Sequence, residues 1–282
     1  MIILQKQADW KHFREKILPP GSTTAFAPTM GALHAGHISL LNKSRELANI
    51  TVSSIFINPT QFNNEADFIK YPVSKGEDIL MLEKNNCDFL FLPAQKEIYP
   101  QPVRKDEYYE LGYLETILEG KYRPGHFQGV CQVVSRLLNI IAPTFLVVGQ
   151  KDFQQCMVLK KLLLLINANI KLVICPTLRE KDGLAFSSRN LRLTTAQRKL
   201  APEIFASLTN IENLISQKNI KMLKEKAILH LEKKGFKVDY IEIAGATDLN
   251  PVNNWDGKMP LVILAAAYLD DVRLIDNILT GA

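Results

Sequence analysis

The sequence predicts an α/β protein: a doubly wound, Rossmann-like parallel sheet followed by a smaller α+β C-terminal domain. Three observations carry that expectation. Short β-branched runs alternate with amphipathic helical segments from the N-terminus to Pro176, the rhythm of a parallel sheet covered by helices on both faces. The chain has 282 residues, more than one ordinary domain. Beyond Pro176 the alternation stops, so the boundary falls there, giving domains 1–176 and 177–282.

The elements follow in order. Residues 23–27 read as a short buried strand, broken at Pro28-Thr29-Met30-Gly31. Residues 38–47 carry apolar side chains at helical spacing, and 50–57 form a β-branched strand closed by Asn58-Pro59. A helix over 74–84 feeds a strand at 89–92, ended by Pro93. A helix over 130–141 stops at Pro143 and precedes a strand at 145–148. Then come a helix over 157–166 and a strand at 172–174. In the second domain a loop over 178–192 leads to Thr194-Thr195, both suited to cap a helix. Two helical stretches reach about Lys234, with Pro202 as a kink or restart in the first. Strand-like runs at 238–243 and 261–269 and an apolar segment at 272–279 complete the chain.

Composition narrows the function classes. Hydrophobic residues make up 47% and charged residues 22%, with no repeat or low-complexity tract, so a sizeable core is available. No apolar stretch reaches the roughly 18 residues of a membrane span, and residues 1–10 do not read as a signal peptide. Cys87, Cys131, Cys156 and Cys175 lie far apart, without metal-type pairing, and read as buried thiols in a reducing, cytoplasmic setting. The excess of 34 basic over 29 acidic residues gives +5, which suits a polyanionic small substrate as well as a nucleic acid. The densest basic stretch, 218–237, has Leu223, Ala227, Ile228 and Leu231 near helical spacing, so its lysines belong on a wet face. No aromatic residues interleave there as a nucleic-acid platform requires.

Chemistry concentrates where the first strand meets the first long helix. His34-Ala35-Gly36-His37 puts two imidazoles three residues apart at a helix start, beside backbone N–H groups and the positive end of the dipole. That combination suits phosphate, and Gly36 leaves room for a flat base. Asn58 and Gln61 follow the second strand, at the carboxyl edge where open α/β sheets place ligands. Uncharged amides there can bond a carboxylate without repelling it. Gly149-Gln150-Lys151-Asp152 follows the fourth expected strand: Lys151 can pair with phosphate, Asp152 can accept from ribose hydroxyls or help near Mg²⁺, and Gln155 falls one helical turn on from Lys151. Phe186-Ser187-Ser188-Arg189 is a donor-rich loop.

These blocks carry a family resemblance. Residues 28–37, PTMGALHAGH, resemble the HxGH signature of the nucleotidylyltransferase superfamily in the form found in pantothenate synthetases. Residues 56–62 (FINPTQF), 123–130 (RPGHFQGV), 149–155 (GQKDFQQ) and 182–190 (DGLAFSSRN) resemble four further motifs of that family, in the same order. The resemblance implies an ATP- and pantoate-binding first domain and a C-terminal domain closing over the site. It implies catalytic roles for His34, His37 and Lys151. It implies ATP contacts at Met30, Gly31, Ala32, Leu33, His34, Ala35, Gly36 and His37. Further ATP contacts are implied at Gly149, Gln150, Lys151, Asp152, Leu178, Phe186, Ser187, Ser188 and Arg189. Pantoate falls to Gln61 and Gln155, β-alanine to Gln61, and Asn58 is a candidate substrate contact.

The implied reaction is ATP-dependent condensation of pantoate with β-alanine through pantoyl-adenylate, with Mg²⁺ as companion of ATP, AMP and pyrophosphate as products, and a homodimer as the assembly. Neither a nucleic acid nor a membrane is an expected partner. A nucleotidylyltransferase acting on a phosphate-bearing acceptor would share His34, His37 and the cationic loop, but would give Gln61 with Gln155 no special role. Departures from the family pattern are Ala35 where an acid is common, Gln150 for Glu, and Phe186 for Met. Asp78 matches an acidic position the family places near a metal, with Met81 replacing a polar neighbour; the metal ligands stay unassigned. His12 and His230 read as surface residues, and His126 as structural or substrate-side.

Overall fold

Phe26 and Ala27 are neighbours in one strand and join different hydrophobic clusters, because successive side chains of a strand leave opposite faces of its sheet. The computed structural model, which describes residues 1–101 and 107–281, builds its first unit on that alternation. Six strands, β1 (Ile2–Leu4), β2 (Thr24–Thr29), β3 (Ile50–Ile55), β4 (Phe89–Phe91), β5 (Phe145–Gly149) and β6 (Lys171–Cys175), pair in the order β1-β4-β3-β2-β5-β6. Every ladder is parallel. From β2 the chain winds one way through β3 and β4 and the other way through β5 and β6, so the switch point lies between β2 and β5.

Helices α1 (Gln7–His12), α2 (Ala35–Leu47), α3 (Glu65–Ile69), α4 (Lys75–Lys84), α5 (Gln95–Ile98), α6 (Leu118–Tyr122), α7 (His126–Ile141) and α8 (Phe153–Leu165) accompany the sheet. On one face Phe26, Val52, Phe91 and Leu146 pack with Trp10 of α1, Val134 and Leu138 of α7, and Leu159 and Leu162 of α8. The Trp10 indole N–H donates to the Ile141 carbonyl at 3.1 Å. On the other face Ala25, Ala27 and Val147 pack with Leu40 of α2, while Ile55 and Leu90 pack with Leu41 and with Leu82 of α4.

The structure shifts several expected boundaries. Strand β2 continues through Pro28 to Thr29, in register with Ser54 and Ile55 of β3. Helix α7 starts at His126, after Gly125 turns the chain at φ 79°, and α8 starts at Phe153; their polar first turns conceal the helical period. Strand β1 is an addition to the expected set.

The chain divides into two compact units, Met1–Gly149 with Gln155–Pro176, and Gln150–Gln154 with Thr177–Ala282. In the second, α9 (Thr195–Leu200), α10 (Glu203–Leu214) and α11 (Ile220–Lys233) accompany an antiparallel sheet of β7 (Lys237–Gly245), β8 (Leu261–Leu269) and β9 (Val272–Thr280), ordered β7-β8-β9. Its core joins Ile204, Leu208 and Ile211 of α10 to Leu223, Ala227 and Leu231 of α11 and to Ile263 and Ala265 of β8. Thr194 caps α9 in a reciprocal box with Gln197, and Pro202 stands directly before α10. Lys221, Lys226, Lys233 and Lys234 of the basic stretch are exposed, and Lys224 pairs with Glu242 at 2.5 Å. All four cysteines are buried thiols; burial pushes Cys87 and Cys131 up to about 12. Among the described residues no helix is long and apolar enough to cross a membrane.

Candidate active site

The loop leaving β2 is shaped by a carboxylate behind it. Gly31 at φ 85° and Ala32 at φ 49° are both left-handed, which turns the backbone N–H groups of Ala32 and Leu33 onto Asp78 of α4, at 2.9 and 2.7 Å. A Cβ on Gly31 would lie 2.9 Å from Asp78 Oδ2 and 3.2 Å from Ile55 Cγ2, so only glycine fits. The Ser74 hydroxyl adds a third donor at 3.0 Å, and Asp78 is 2% exposed.

Held this way, the loop delivers His34 to the N-cap of α2 and His37 to its first turn. The His34 backbone N–H donates to His37 Nδ1 at 3.3 Å, and the two rings lie 4.0 Å apart at 34°. Because Nδ1 accepts, the hydrogen of a neutral His37 ring sits on Nε2, which is then a donor. The first-turn N–H groups of Ala35 and Gly36 have no acceptor within the helix by construction. A cleft of about 360 Å³, lined in part by Met30, Gly31, Ala32, Phe56, Ser74 and Lys75, opens beside the loop.

A second cluster forms at the end of β3. Asn58, 1% exposed, begins the 3-10 turn Pro59–Gln61. Its Oδ1 accepts from Tyr99 Oη (2.8 Å) and Thr60 Oγ1 (3.1 Å), and its Nδ2 donates to Gly129 O (3.1 Å) and Gln61 Oε1 (3.2 Å). The other end of the Gln61 amide reaches Met30 Sδ at 3.1 Å, so the structure brings Gln61 to the β2 loop. His126 supports the same turn from α7: Nδ1 lies 2.7 Å from Gln61 O, and Nε2 lies 3.2 Å from Arg123 Nη1. Arginine can only donate, so Nε2 accepts and Nδ1–H points at the Gln61 carbonyl. His126 is thus a buried support, and His12 and His230 are exposed.

The segment after β5 belongs to the second unit as far as Gln154. Lys151 stands in a 3-10 turn, Gln150–Asp152, ahead of α8. That turn runs directly into α8, whose first turn carries Gln155. Asn277 of β9 donates to the carbonyls of Gln150 (3.0 Å) and Lys151 (2.9 Å). Lys151 and Ser187 line one small cavity together with Asn190 and Asp276. Leu178 and Phe186 are tied by a backbone bond of 3.1 Å, and the turn between them passes Gly183 at φ 93°. Ser187 Oγ accepts from Arg189 N at 3.3 Å, capping the turn Ser188–Arg192. Phe186 and Arg189 are half-buried, and Asp152 is exposed.

Arg179 grips Asp276 through two bonds of 2.6 and 2.9 Å and lies 3.8 Å from the Phe205 ring centroid. Burial pushes the Asp276 carboxyl above its ordinary range; Arg179, the Asn277 N–H and the charge of Lys151 pull the other way. Asp78, Asn277, Arg179 and Tyr99 were not singled out by sequence as supports. The available signal was a polar pair, Asp276-Asn277, inside an apolar strand.

Asp78 is 2% exposed, and both its oxygens accept hydrogen bonds, Oδ2 from Ala32 N–H and Oδ1 from Leu33 N–H and Ser74 Oγ. Among the described residues no group of three or more His, Cys, Asp or Glu side chains could hold a metal ion. These residues do not form a protein-borne metal cage.

Comparison with known proteins places this geometry in a family. Residues 2–279 match the family described as Pantoate-beta-alanine ligase. A pantothenate synthetase of Azobacteroides pseudotrichonymphae is 42% identical over 265 residues, covering 93% of this chain and 94% of the relative. The crystal structure of pantothenate synthetase from Thermus thermophilus superposes with a TM-score of 0.89 at 32% identity, covering 99% of each chain. A pantoate-beta-alanine ligase from Francisella tularensis, solved in complex with beta-gamma ATP and beta-alanine, gives a TM-score of 0.82 at 37% identity, covering 100% of this chain and 98% of that one. With the match running through nearly the whole chain, this protein belongs to the pantoate–β-alanine ligase family, whose members form amide bonds.

Proposed function

We propose that the chain condenses pantoate with β-alanine at the expense of ATP, through a pantoyl-adenylate, in the pathway to pantothenate. The observation that carries this reading is the meeting of two kinds of donor at the carboxyl ends of β2 and β3. The His34–His37 pair heads α2, and the Gln61 amide reaches Met30 in the same loop. The first set suits phosphate and the second suits a carboxylate or hydroxyl. The ligands in the Francisella relative's structure, beta-gamma ATP and beta-alanine, support the same pair of substrates.

In the first step a pantoate carboxylate oxygen attacks the α-phosphorus of ATP, and the bond to the β-phosphate oxygen breaks. His37 Nε2–H, the α2 N-terminus and Lys151 stabilise the charge that builds on the phosphates and leaves with pyrophosphate. Ser187, Ser188 and Arg189 are further donors for that leaving group. Gln61 and Gln155 hold the acid, and Asn58 acts through Gln61, since its own hydrogen-bonding capacity is taken up by Tyr99, Thr60, Gly129 and Gln61. In the second step the β-alanine amine attacks the acyl carbonyl, and the tetrahedral intermediate expels AMP and loses a proton to water. Binding and alignment of the reactants supply much of the acceleration. The reading carries with it a cytoplasmic setting.

The test is a product assay with each substrate omitted in turn. The reading requires AMP and pyrophosphate only when ATP and pantoate are present, and pantothenate only when β-alanine joins them. ADP with inorganic phosphate would mean acyl-phosphate chemistry and would refute it.

A further inference from the structure

We propose that Asn277 is a positioning residue for Lys151, fixing from β9 the turn that presents this lysine to the nucleotide. The inference rests on the reading of Lys151 as a phosphate donor. Asn277 lies near the C-terminus, far in sequence from any motif, and is 1% exposed. Strand β9 is an edge of the β7-β8-β9 sheet, so one side of it is available to another segment of the same unit. That segment is the turn at 150–152. Both hydrogens of the Asn277 amide are used on it, one on the Gln150 carbonyl at 3.0 Å and one on the Lys151 carbonyl at 2.9 Å. The amide oxygen accepts from Gln150 Nε2 at 3.1 Å. The orientation is set by chemistry, because a flipped amide would face two carbonyls with an oxygen.

The asparagine itself is held. Its backbone N–H donates to Asp276 Oδ1 at 2.7 Å, its carbonyl accepts from Arg179 Nη2 at 3.0 Å, and Arg179 grips Asp276 through both guanidinium nitrogens. A chain of fixed groups thus runs from Arg179 to the backbone of Lys151. It also gives Gln150 a reason. An ionised glutamate there would have no hydrogen to offer Asn277 Oδ1, whereas the glutamine amide does. Gln150 and Asn277 are a matched pair in this chain.

The experiment is a double-mutant cycle on the full chain with Asn277→Asp and Lys151→Ala, read as adenylate formation against ATP and pantoate concentration, with thermal midpoints alongside. Asn277→Asp keeps the shape and removes both amide hydrogens. It should lower kcat/KM for ATP by about tenfold to a hundredfold, the cost of a misplaced reacting partner, with the KM for pantoate unchanged. In the Lys151→Ala background the same change should cost less than about twofold, because residues acting as one unit are not additive. Asn277→Ala, without the new charge, serves if the aspartate does not fold. A lowered thermal midpoint with wild-type kinetics, or full additivity with Lys151→Ala, would overturn the inference. Unimpaired ATP use by Lys151→Ala alone would instead refute the role of Lys151, and the inference with it.

Discussion

An aspartate 2% exposed has to replace its water with donors, and Asp78 takes them from the backbone of the loop in front of it. Two consecutive residues at positive φ, Gly31 and Ala32, accompany that arrangement and aim both N–H groups at the one carboxylate. The sequence showed an acidic residue at this place but not its partners, which lie 45 and 46 residues away. Replacing Asp78 by Asn swaps one acceptor for a donor, so a buried N–H of the loop loses its bond at a cost of about 1–3 kcal/mol. ATP affinity should fall with stability, because the same loop leads to His34 and His37. Thermal unfolding and an ATP titration of Asp78→Asn, repeated at raised Mg²⁺, separate the two roles of the residue. The clamp requires that added Mg²⁺ restore neither; full rescue would make Asp78 a metal ligand.

At the scale of elements, the close packing of α7 on the turn Pro59–Gln61 decides where Gln61 stands. A Cβ on Gly129 would lie 2.2 Å from the Thr60 carbonyl oxygen and 2.7 Å from Gln61 Cα, so the approach depends on this glycine. The Gly129 carbonyl then accepts from Asn58, and His126, one turn earlier, reaches the Gln61 carbonyl. Gly129→Ala should therefore force the helix and turn apart, costing about 1–3 kcal/mol as an overpacked contact. Its kinetic mark should be a raised KM for pantoate with ATP binding kept, measured by initial rates and by titration. A wild-type KM for pantoate would show that this packing does not set Gln61. The motif around Gly129 was visible in the sequence, yet its use was not, because a glycine in a helix start announces room without saying what fills it. Helix α11 was easier: Leu223, Ala227 and Leu231 are buried where their spacing put them, since that information is local. Strand β1 was hidden by its three residues, of which Ile2 and Ile3 are 42% and 41% exposed.

For the whole molecule, the order of strands and helices was legible because each is written in a short window, and the doubly wound sheet with its smaller antiparallel companion follows from that order. The supports of the site were not legible, because they join distant positions: Asn277 to Lys151 across 126 residues, Asn58 to Gly129 across 71. The segment 150–154 was likewise expected with the first domain and is carried by the second unit, where the β9 asparagine holds it. On the proposed reading, these parts stabilise charge at the phosphates while an acid attacks the α-phosphorus, and oxygen accounting reports on that step directly. Pantoate labelled with ¹⁸O in its carboxylate is turned over with ATP and β-alanine, and the AMP is isolated for mass spectrometry. An adenylate carries one carboxylate oxygen as the bridge between carbon and phosphorus, and amine attack on the carbon leaves that oxygen on phosphate. The account predicts one ¹⁸O in each AMP formed; AMP without label, or label in inorganic phosphate, would contradict it.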